Sequence, residues 1–260
     1  MSTQAVREDA AALTRQFHQA RRSADQVILV GFHPLKHALR FGAHLRAVVS
    51  FDGDELQRLA DRLAPDLTAE ITQRAQIVSR KVFKQLGPYE PHTGVVAIAD
   101  RPKVDPVEML AQQSPTPLVL LEDPRHRGNL GAVIRVAAAA GVGGVLSTGM
   151  CDPWDPVAVR GSAGLHFALA VAHLPQLPEP SAIDRPLLAL DPEGEPLRAE
   201  LVPARALLAF GSEREGLSNE LRERADACVS LPMRAGVSSL NLATSVAAVL
   251  YGIRRLEGGQ

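Results

Sequence analysis

Three segments in the latter half of the chain join apolar, strand-like runs to glycines and a few polar side chains. They are Leu118-Val-Leu-Leu-Glu-Asp-Pro-Arg-His-Arg-Gly-Asn-Leu-Gly-Ala-Val-Ile-Arg135, Ala206-Leu-Leu-Ala-Phe-Gly-Ser-Glu-Arg-Glu-Gly-Leu217 and Val229-Ser-Leu-Pro-Met-Arg-Ala-Gly-Val-Ser-Ser-Leu-Asn241. A parallel α/β sheet builds its ligand site in such loops, at the carboxyl ends of its strands. Three of them point to one composite site. The loop Phe210–Leu217 is neither a GxGxxG fingerprint nor a P-loop, which argues against a dinucleotide or nucleoside triphosphate. Its acidic Glu213 and Glu215 disfavour a polyphosphate and suit a ligand with cationic or neutral polar groups. No Ser/His/Asp or Cys/His arrangement stands out for covalent catalysis.

Individual residues carry two readings each. Asn129 is a good helix N-cap for a helix over 129–140, whose positions 132, 133, 136, 137 and 140 are apolar. Arg135 is then a single charge on an apolar helix: either it snorkels out and pairs with an acid, or it aims a guanidinium into a cleft. Spacing leaves both open. Glu213 and Glu215 could be first-turn acids that complement a helix dipole, which accounts for Glu215 better than for Glu213. Ser238, Ser239 and Asn241 stand at the start of a helix over 239–255. One of them suffices as a cap, so the others point to ligand hydrogen bonding. His33 and His37 have the i,i+4 spacing that zinc can use, but no third ligand lies near them in sequence, so no metal is expected.

The elements that would position these residues are legible from periodicity. In the first part of the chain, a helix over 5–22 precedes strands at 27–30, 45–50, 77–79 and 94–99, with helices at 35–41, 54–63 and 79–86 between them. This is a small α/β domain, residues 1–104. Prolines at 102, 106, 115 and 117 mark a semi-rigid connector over 105–117, with room for a helical turn or two at 107–112. From 118 to 260, strands at 118–121, 144–147, 169–173, 187–190, 206–210 and 228–231 alternate with helices at 129–140, 157–163, 217–225 and 239–255. Such alternation implies a mostly parallel sheet with helices on both faces.

Composition agrees. Apolar residues make up 46% of the 260, enough for a substantial core, and aromatics only 4%, which suits α/β layers better than an aromatic-rich sandwich. The net charge of −1 announces no polyanionic partner, yet residues 1–50 hold 7 Lys+Arg and 4 His against 3 Asp+Glu, so a basic end is concealed. Cys151 and Cys228 are far apart and outside any CxxC pattern, as in a reducing compartment; the expected location is cytoplasmic. The polar start does not read as a signal peptide, and no apolar run approaches a membrane span.

Taken in order, the three segments resemble the motifs of the SpoU/TrmH family of RNA ribose 2′-O-methyltransferases, within the SPOUT superfamily. The first motif is matched by Asn129-Leu-Gly-Ala-Val-Ile-Arg135, the second by Gly211-Ser-Glu-Arg-Glu-Gly-Leu217, and the third by Leu231-Pro-Met through Ser239-Leu-Asn241. Val159-Arg-Gly-Ser-Ala-Gly164 also looks like a family segment. Residues 25–100, with Gly31-Phe-His-Pro-Leu-Lys-His-Ala-Leu, look like the ribosomal-protein-L30-like substrate-binding domain of many members. The family usually shows Asp-Pro-x-Asn-x-Gly. Here Arg125-His-Arg-Gly intervenes between Asp123-Pro124 and Asn129, so the loop is longer.

The resemblance implies a C-terminal α/β domain with a deep trefoil knot, a homodimer, and S-adenosylmethionine bound by Gly211, Glu213, Gly216, Leu231, Met233, Ser239 and Leu240. It implies catalytic roles for Arg135, Asn129, Ser239, Asn241 and Glu213. The reaction would be methylation of a ribose 2′-hydroxyl, on ribosomal RNA in preference to transfer RNA. Arg135 would stabilise the developing alkoxide or the adjacent phosphate, since a free guanidinium resists deprotonation; the proton acceptor is left open. From other classes, a non-catalytic RNA-binding or ribosome-associated protein of the same fold and a nucleotide-binding oxidoreductase are the alternatives, the latter opposed by the absent GxGxxG.

Overall fold

The computed structural model describes residues 3–87, 89–198 and 202–257 of the chain. The ends of the expected ranges 1–104 and 118–260 thus lie outside the described residues. The chain divides into two compact units: Met1–Pro102 with Ala163–Ala168, and Lys103–Ser162 with Leu169–Gln260.

In the first unit, β1 (Gln26–Val30), β2 (Leu45–Ser50), β3 (Ala75–Ile77) and β4 (Val95–Asp100) form a sheet in the order β1-β4-β2-β3. β4 runs antiparallel to both β1 and β2, and β3 parallel to β2. The apolar positions of α1 (Thr3–Ala20) recur at helical spacing, so Leu13, Phe17 and Ala20 meet Ile28, Val49, Val96 and Ile98 in one core. α2 (Phe32–Arg40), α3 (Gly53–Leu63), α4 (Thr68–Arg74) and α5 (Arg80–Phe83) complete the unit. α4 has no counterpart in the expected elements, because its single anchor, the fully buried Ile71, gives no periodicity. The 163–168 segment also belongs here. His37 Nδ1 lies 2.7 Å from the Ala163 carbonyl oxygen and donates to it. Burial pushes the His37 pKa down, and that hydrogen bond opposes the shift. A Cβ on Gly164 (φ 78°) would sit 2.6 Å from Pro34 Cα, so the backbones approach too closely for any side chain.

In the second unit, six strands are all parallel: β5 (Leu118–Leu121), β6 (Gly144–Ser147), β7 (Ala170–His173), β8 (Leu187–Pro196), β9 (Leu207–Phe210) and β10 (Ala227–Ser230), in the order β10-β8-β9-β5-β6-β7. α6 (Pro106–Ala111) and α9 (Asn219–Arg224) cover the face that carries Leu118, Leu120, Leu146, Leu207 and Ala209. Strand side chains alternate, so the equally buried Val119, Leu121, Val145 and Leu208 point to the opposite face. α7 (Arg127–Ala140), α8 (Pro156–Gly161) and α10 (Leu242–Glu257) pack side by side, α7 in the middle. A Cβ on Gly131 would lie 2.2 Å from the Ala158 carbonyl oxygen, which is why α7 can press directly on α8.

The proline-rich segment is not a free connector. Met109 and Leu110 are buried in the second unit's core. The Arg185 guanidinium, itself only 5% exposed, donates to the carbonyl oxygens of Leu110 (3.2 Å), Gln112 (2.8 Å) and Thr116 (3.0 Å). One buried cation thus satisfies carbonyl groups at the end of α6 and in the irregular stretch that follows it.

Candidate active site

Loops from the carboxyl ends of β5, β9 and β10, with an excursion inside β8, surround one cleft of about 1590 Å³ in the second unit. Asn129, Glu213, Ser239 and Asn241 line it, as do Gly211, Gly216, Leu231, Met233 and Leu240. Arg135 does not. It is exposed on α7 with no hydrogen-bond or ion-pair partner among the described residues. Six residues along a helix amount to about 240° beyond one full turn, which carries Arg135 away from the side where Asn129 faces the cleft.

The polar residues are bound to one another. Asn129 Nδ2 donates to Glu213 Oε1 (2.8 Å), and Asn241 Nδ2 donates to Asn129 Oδ1 (3.0 Å). Asn241 Oδ1 in turn accepts from the N–H groups of Ala243 (3.0 Å) and Thr244 (3.4 Å), capping α10. Glu213 also accepts from the N–H groups of Arg125 (2.9 Å) and His126 (3.3 Å), in the approach to α7. Burial opposes ionisation of Glu213, but the hydrogen bonds from Asn129, Arg125 and His126 outweigh it and hold its pKa below the usual carboxylate value.

These bonds correct four expectations. α7 starts at Arg127, not at 129, and Asn129 is not its cap: His126 occupies that position without a side-chain bond, and the Glu213 carboxylate from another loop binds the Arg125 and His126 N–H groups just ahead of the helix. α9 starts at Asn219 behind its cap Ser218, so Glu215 precedes the helix and Glu220 is the first-turn acid. α10 starts at Leu242, leaving Ser238 and Ser239 in an exposed loop and the capping to Asn241. Arg135 snorkels out as one reading had it, but without an acid to pair with among the described residues.

The 211–217 turn is set by its glycines. Ser212 and Gly216 exchange two backbone hydrogen bonds, of 3.0 and 3.1 Å. A Cβ on Gly211 would fall 2.0 Å from the Gly216 carbonyl carbon, so only glycine fits. Glu122, at the end of β5, accepts from the Ser218 N–H (2.7 Å) and hydroxyl (2.6 Å). Neighbouring strands β5 and β9 therefore exchange acids, each loop's glutamate holding the helix start that follows the other.

Sequence reasoning passed over one wall. β8 breaks register with β10 between Cys228 and Val229, and the excursion Leu190–Glu193 lines the cleft. There Asp191, 8% exposed, accepts from Arg222 Nη1 (2.8 Å) and from the Glu193 N–H (3.0 Å). The signal was present: Asp191-Pro-Glu-Gly follows an apolar run, as the other three loops do.

Residues 116–251 match the model of the SpoU rRNA methylase family. The chain belongs to that family. A 23S rRNA (uridine(2479)-2′-O)-methyltransferase from Streptomyces viridochromogenes is 30% identical over 89% of this chain and 83% of that protein. A 23S rRNA (adenosine(1067)-2′-O)-methyltransferase from Streptomyces laurentii is 28% identical over 86% and 84%. The crystal structure of the SpoU methyltransferase AviRb from Streptomyces viridochromogenes, in complex with AdoMet, has a TM-score of 0.74 and 26% identity, covering 94% of this chain and 99% of that one. The SpoU match spans all three motif loops of the cleft. Among the described residues no helix is long and apolar enough to cross a membrane, and no group of three or more His, Cys, Asp or Glu could hold a metal ion.

Proposed function

We propose that this SpoU-family chain is an S-adenosylmethionine-dependent RNA ribose 2′-O-methyltransferase acting on ribosomal RNA. The observation that carries the reading is the Glu213–Asn129–Asn241 chain of hydrogen bonds, which draws the three motif loops into one cleft. A relative that kept only the fold would have no need of an intact set. The two 23S rRNA methyltransferases among its relatives favour ribosomal over transfer RNA.

The cleft suits the methyl donor. Its bare turn at Gly211 and Gly216 offers backbone groups at close approach, Leu231, Met233 and Leu240 offer apolar surface, and its carboxylates suit a cationic ligand better than a polyphosphate. When bound, the donor supplies an electrophilic methyl on a sulfonium. Gly211, Glu213, Gly216, Leu231, Met233, Ser239 and Leu240 are the residues that would hold it. Asn129, Ser239 and Asn241 organise the floor, and Glu213 keeps the loops in register. The task left to catalysis is alignment of the 2′-oxygen and stabilisation of its developing charge.

Arg135 supplies that stabilisation in this proposal, from outside its own chain's cleft. Its exposure and lack of a partner among the described residues, on a helix packed against α10 with its exposed Thr244, Ala248 and Tyr251, support a homodimer in which it serves the partner's site. The knot of the SPOUT fold, a rare exception to unknotted topology, and a cytoplasmic location complete the proposal. The first unit is assigned to RNA binding as an L30-like domain; exposed Arg15 and His18 on α1 and Arg22 in the turn after it support this.

The test is transfer of a labelled methyl group to ribosomal RNA from cells lacking the gene, with the modified nucleotide mapped by reverse-transcription stops. One 2′-O-methylated nucleotide is expected. Incorporation into transfer RNA alone would redirect the substrate. Donor binding without transfer to any RNA would favour the non-catalytic alternative.

A further inference from the structure

Methylation of a hydroxyl releases a proton, and the groups assigned so far are poor acceptors. Arginine stays protonated under ordinary conditions. Glu213 already accepts from three donors, and these favour its ionised form over a protonated one. Asp191 is committed to Arg222 and to the Glu193 N–H. Glu193 and Glu215 also line the cleft, but carboxylates in general are weaker bases than imidazole by about two pK units.

His126 is the one imidazole among the described residues that line the cleft. It sits at the N-cap position of α7 (φ −106°, ψ 107°), where its side chain makes no capping bond. Its backbone N–H donates to Glu213 Oε1 at 3.3 Å. The carboxylate therefore fixes the backbone, while neither ring nitrogen has a hydrogen-bond partner among the described residues. The residue belongs to the Arg125–Gly128 insertion that lengthens this loop, three positions before Asn129. Its neighbours there are restrained too: Arg125 pairs with Asp123 at 2.6 Å and Arg127 with Asp155 at 3.0 Å.

We infer that His126 is the general base of this cleft, taking the 2′-hydroxyl proton as the methyl group is transferred; this rests on the methyltransferase function proposed above. A lone pair of the 2′-oxygen forms the new bond to the methyl carbon. The carbon–sulfur electron pair withdraws to sulfur, which becomes a neutral thioether. The hydroxyl proton passes to a ring nitrogen of His126 and then to solvent. The positive charge that leaves sulfur appears on the imidazolium, so atoms and charge balance.

The charges around the ring make the test readable. Arg125 and Arg127 flank it, Glu213, Arg214 and Glu215 face the cleft from the next loop, and Asp191, Glu193 and Arg222 face it from the third side. Carboxylates in general titrate well below neutrality and arginines far above it, so an inflection near neutrality belongs to an imidazole. Single-turnover methyl transfer to ribosomal RNA lacking the modification is measured from pH 5.5 to 9 for the wild type, His126→Gln and His126→Ala. Donor binding by calorimetry and ring titration by NMR of the wild type accompany it. The wild-type rate should rise with pH through an inflection that coincides with the ring titration followed by NMR. Both variants should lose that inflection and about a hundredfold in rate, while donor affinity stays within twofold. A His126→Gln protein with the wild-type inflection and a rate within threefold of it would overturn the assignment. So would a His126 ring in the wild type that does not change protonation across the inflection, a result that needs no variant to fold. A wild type that binds the donor but methylates no RNA would instead overturn the proposed function, and this inference with it.

Discussion

Asn129 and Asn241, 112 residues apart in the chain, are joined by a hydrogen bond of 3.0 Å in which each amide has only one workable orientation. A carboxylate can only accept, so Asn129 must turn its NH₂ toward Glu213. Its oxygen then faces Asn241, which must donate. That leaves the Asn241 oxygen for the N–H groups that open α10. The polarity runs in one direction, from the α10 amides to Glu213, and each member depends on the next.

Asn129→Asp and Asn241→Asp should therefore differ although the chemical change is the same. The first sets a carboxylate against Glu213, where Asn129 now donates at 2.8 Å, and should cost about 2–3 kcal/mol at pH 7.5. The second loses one donor but retains an acceptor at a helix N-cap, where Asp serves well, and should cost about 1 kcal/mol or less. Thermal unfolding ranks the two, and equal losses would contradict the directional chain. Lowering the pH to 5 should narrow the gap, as one of the facing carboxyls takes up a proton.

Glu213 also predicts how the second unit responds to acid. Its pKa is lowered in the fold, so the unfolded chain binds the proton more readily. Its contribution is complete above the ordinary carboxylate value, about 4.3, and is lost as pH falls through the lower folded value. Glu213→Gln should lower the melting temperature at pH 7 by roughly 2–8 °C, as its hydrogen bonds lose their charged acceptor. It should also flatten the loss of stability below pH 4.5. A variant that matches wild type at pH 7 would show that the carboxylate does not hold the start of α7.

The sheet was legible in the sequence because strands such as Leu118–Leu121 and Gly144–Ser147 are short apolar runs bounded by turns. That Gly211, Glu213, Gly216, Leu231, Met233, Ser239 and Leu240 share one cleft was legible because motif resemblance tracks loops whose backbone geometry only glycine allows, as at Gly211. What failed was assigning helix starts by nearest neighbour. Asn129 and Glu215 look like local caps, whereas the real partners are brought from strands next to each other in space, and no local pattern reveals that exchange. The Asp191 wall was hidden for a related reason. β8 leaves its register and returns, and residues beyond the apolar run read as polar loop. The segment Ala163–Ala168 falls inside the expected 118–260 domain but belongs with the first unit.

RNA affinity should depend on the exposed basic side of α1. Arg15, on α1, and Arg22, in the turn just after it, are both exposed. If each meets a phosphate, Arg15→Glu with Arg22→Glu should weaken binding to ribosomal RNA fragments and reduce the log–log salt slope by about 0.7 per lost contact. Donor binding should stay unchanged. An unaltered slope in a folded double variant would move RNA recognition away from α1.

Arg135 lies outside its own cleft, and that makes its role separable from cleft integrity. Arg135→Ala should leave stability within about 0.5 kcal/mol, since an exposed side chain without a partner holds nothing together. It should leave donor affinity intact and lower the turnover about a hundred- to a thousandfold, the usual loss of one electrostatic contact to a transition state. Arg135→Lys should rescue poorly, because a point charge cannot replace a planar fork. Gly211→Val damages the other half of the machinery, as any Cβ there collides with Gly216. Neither variant alone should be active. In a homodimer where Arg135 acts on the partner's cleft, mixing the two allows subunits to exchange, and half the dimers become mixed. Each mixed dimer has one site with an intact cleft and an intact arginine opposite it, so about a quarter of the wild-type activity should return. An arginine acting within its own chain would give no recovery at all, and light scattering on the same mixture shows whether dimers formed. Dimers without recovered activity would place Arg135 in its own subunit's reaction.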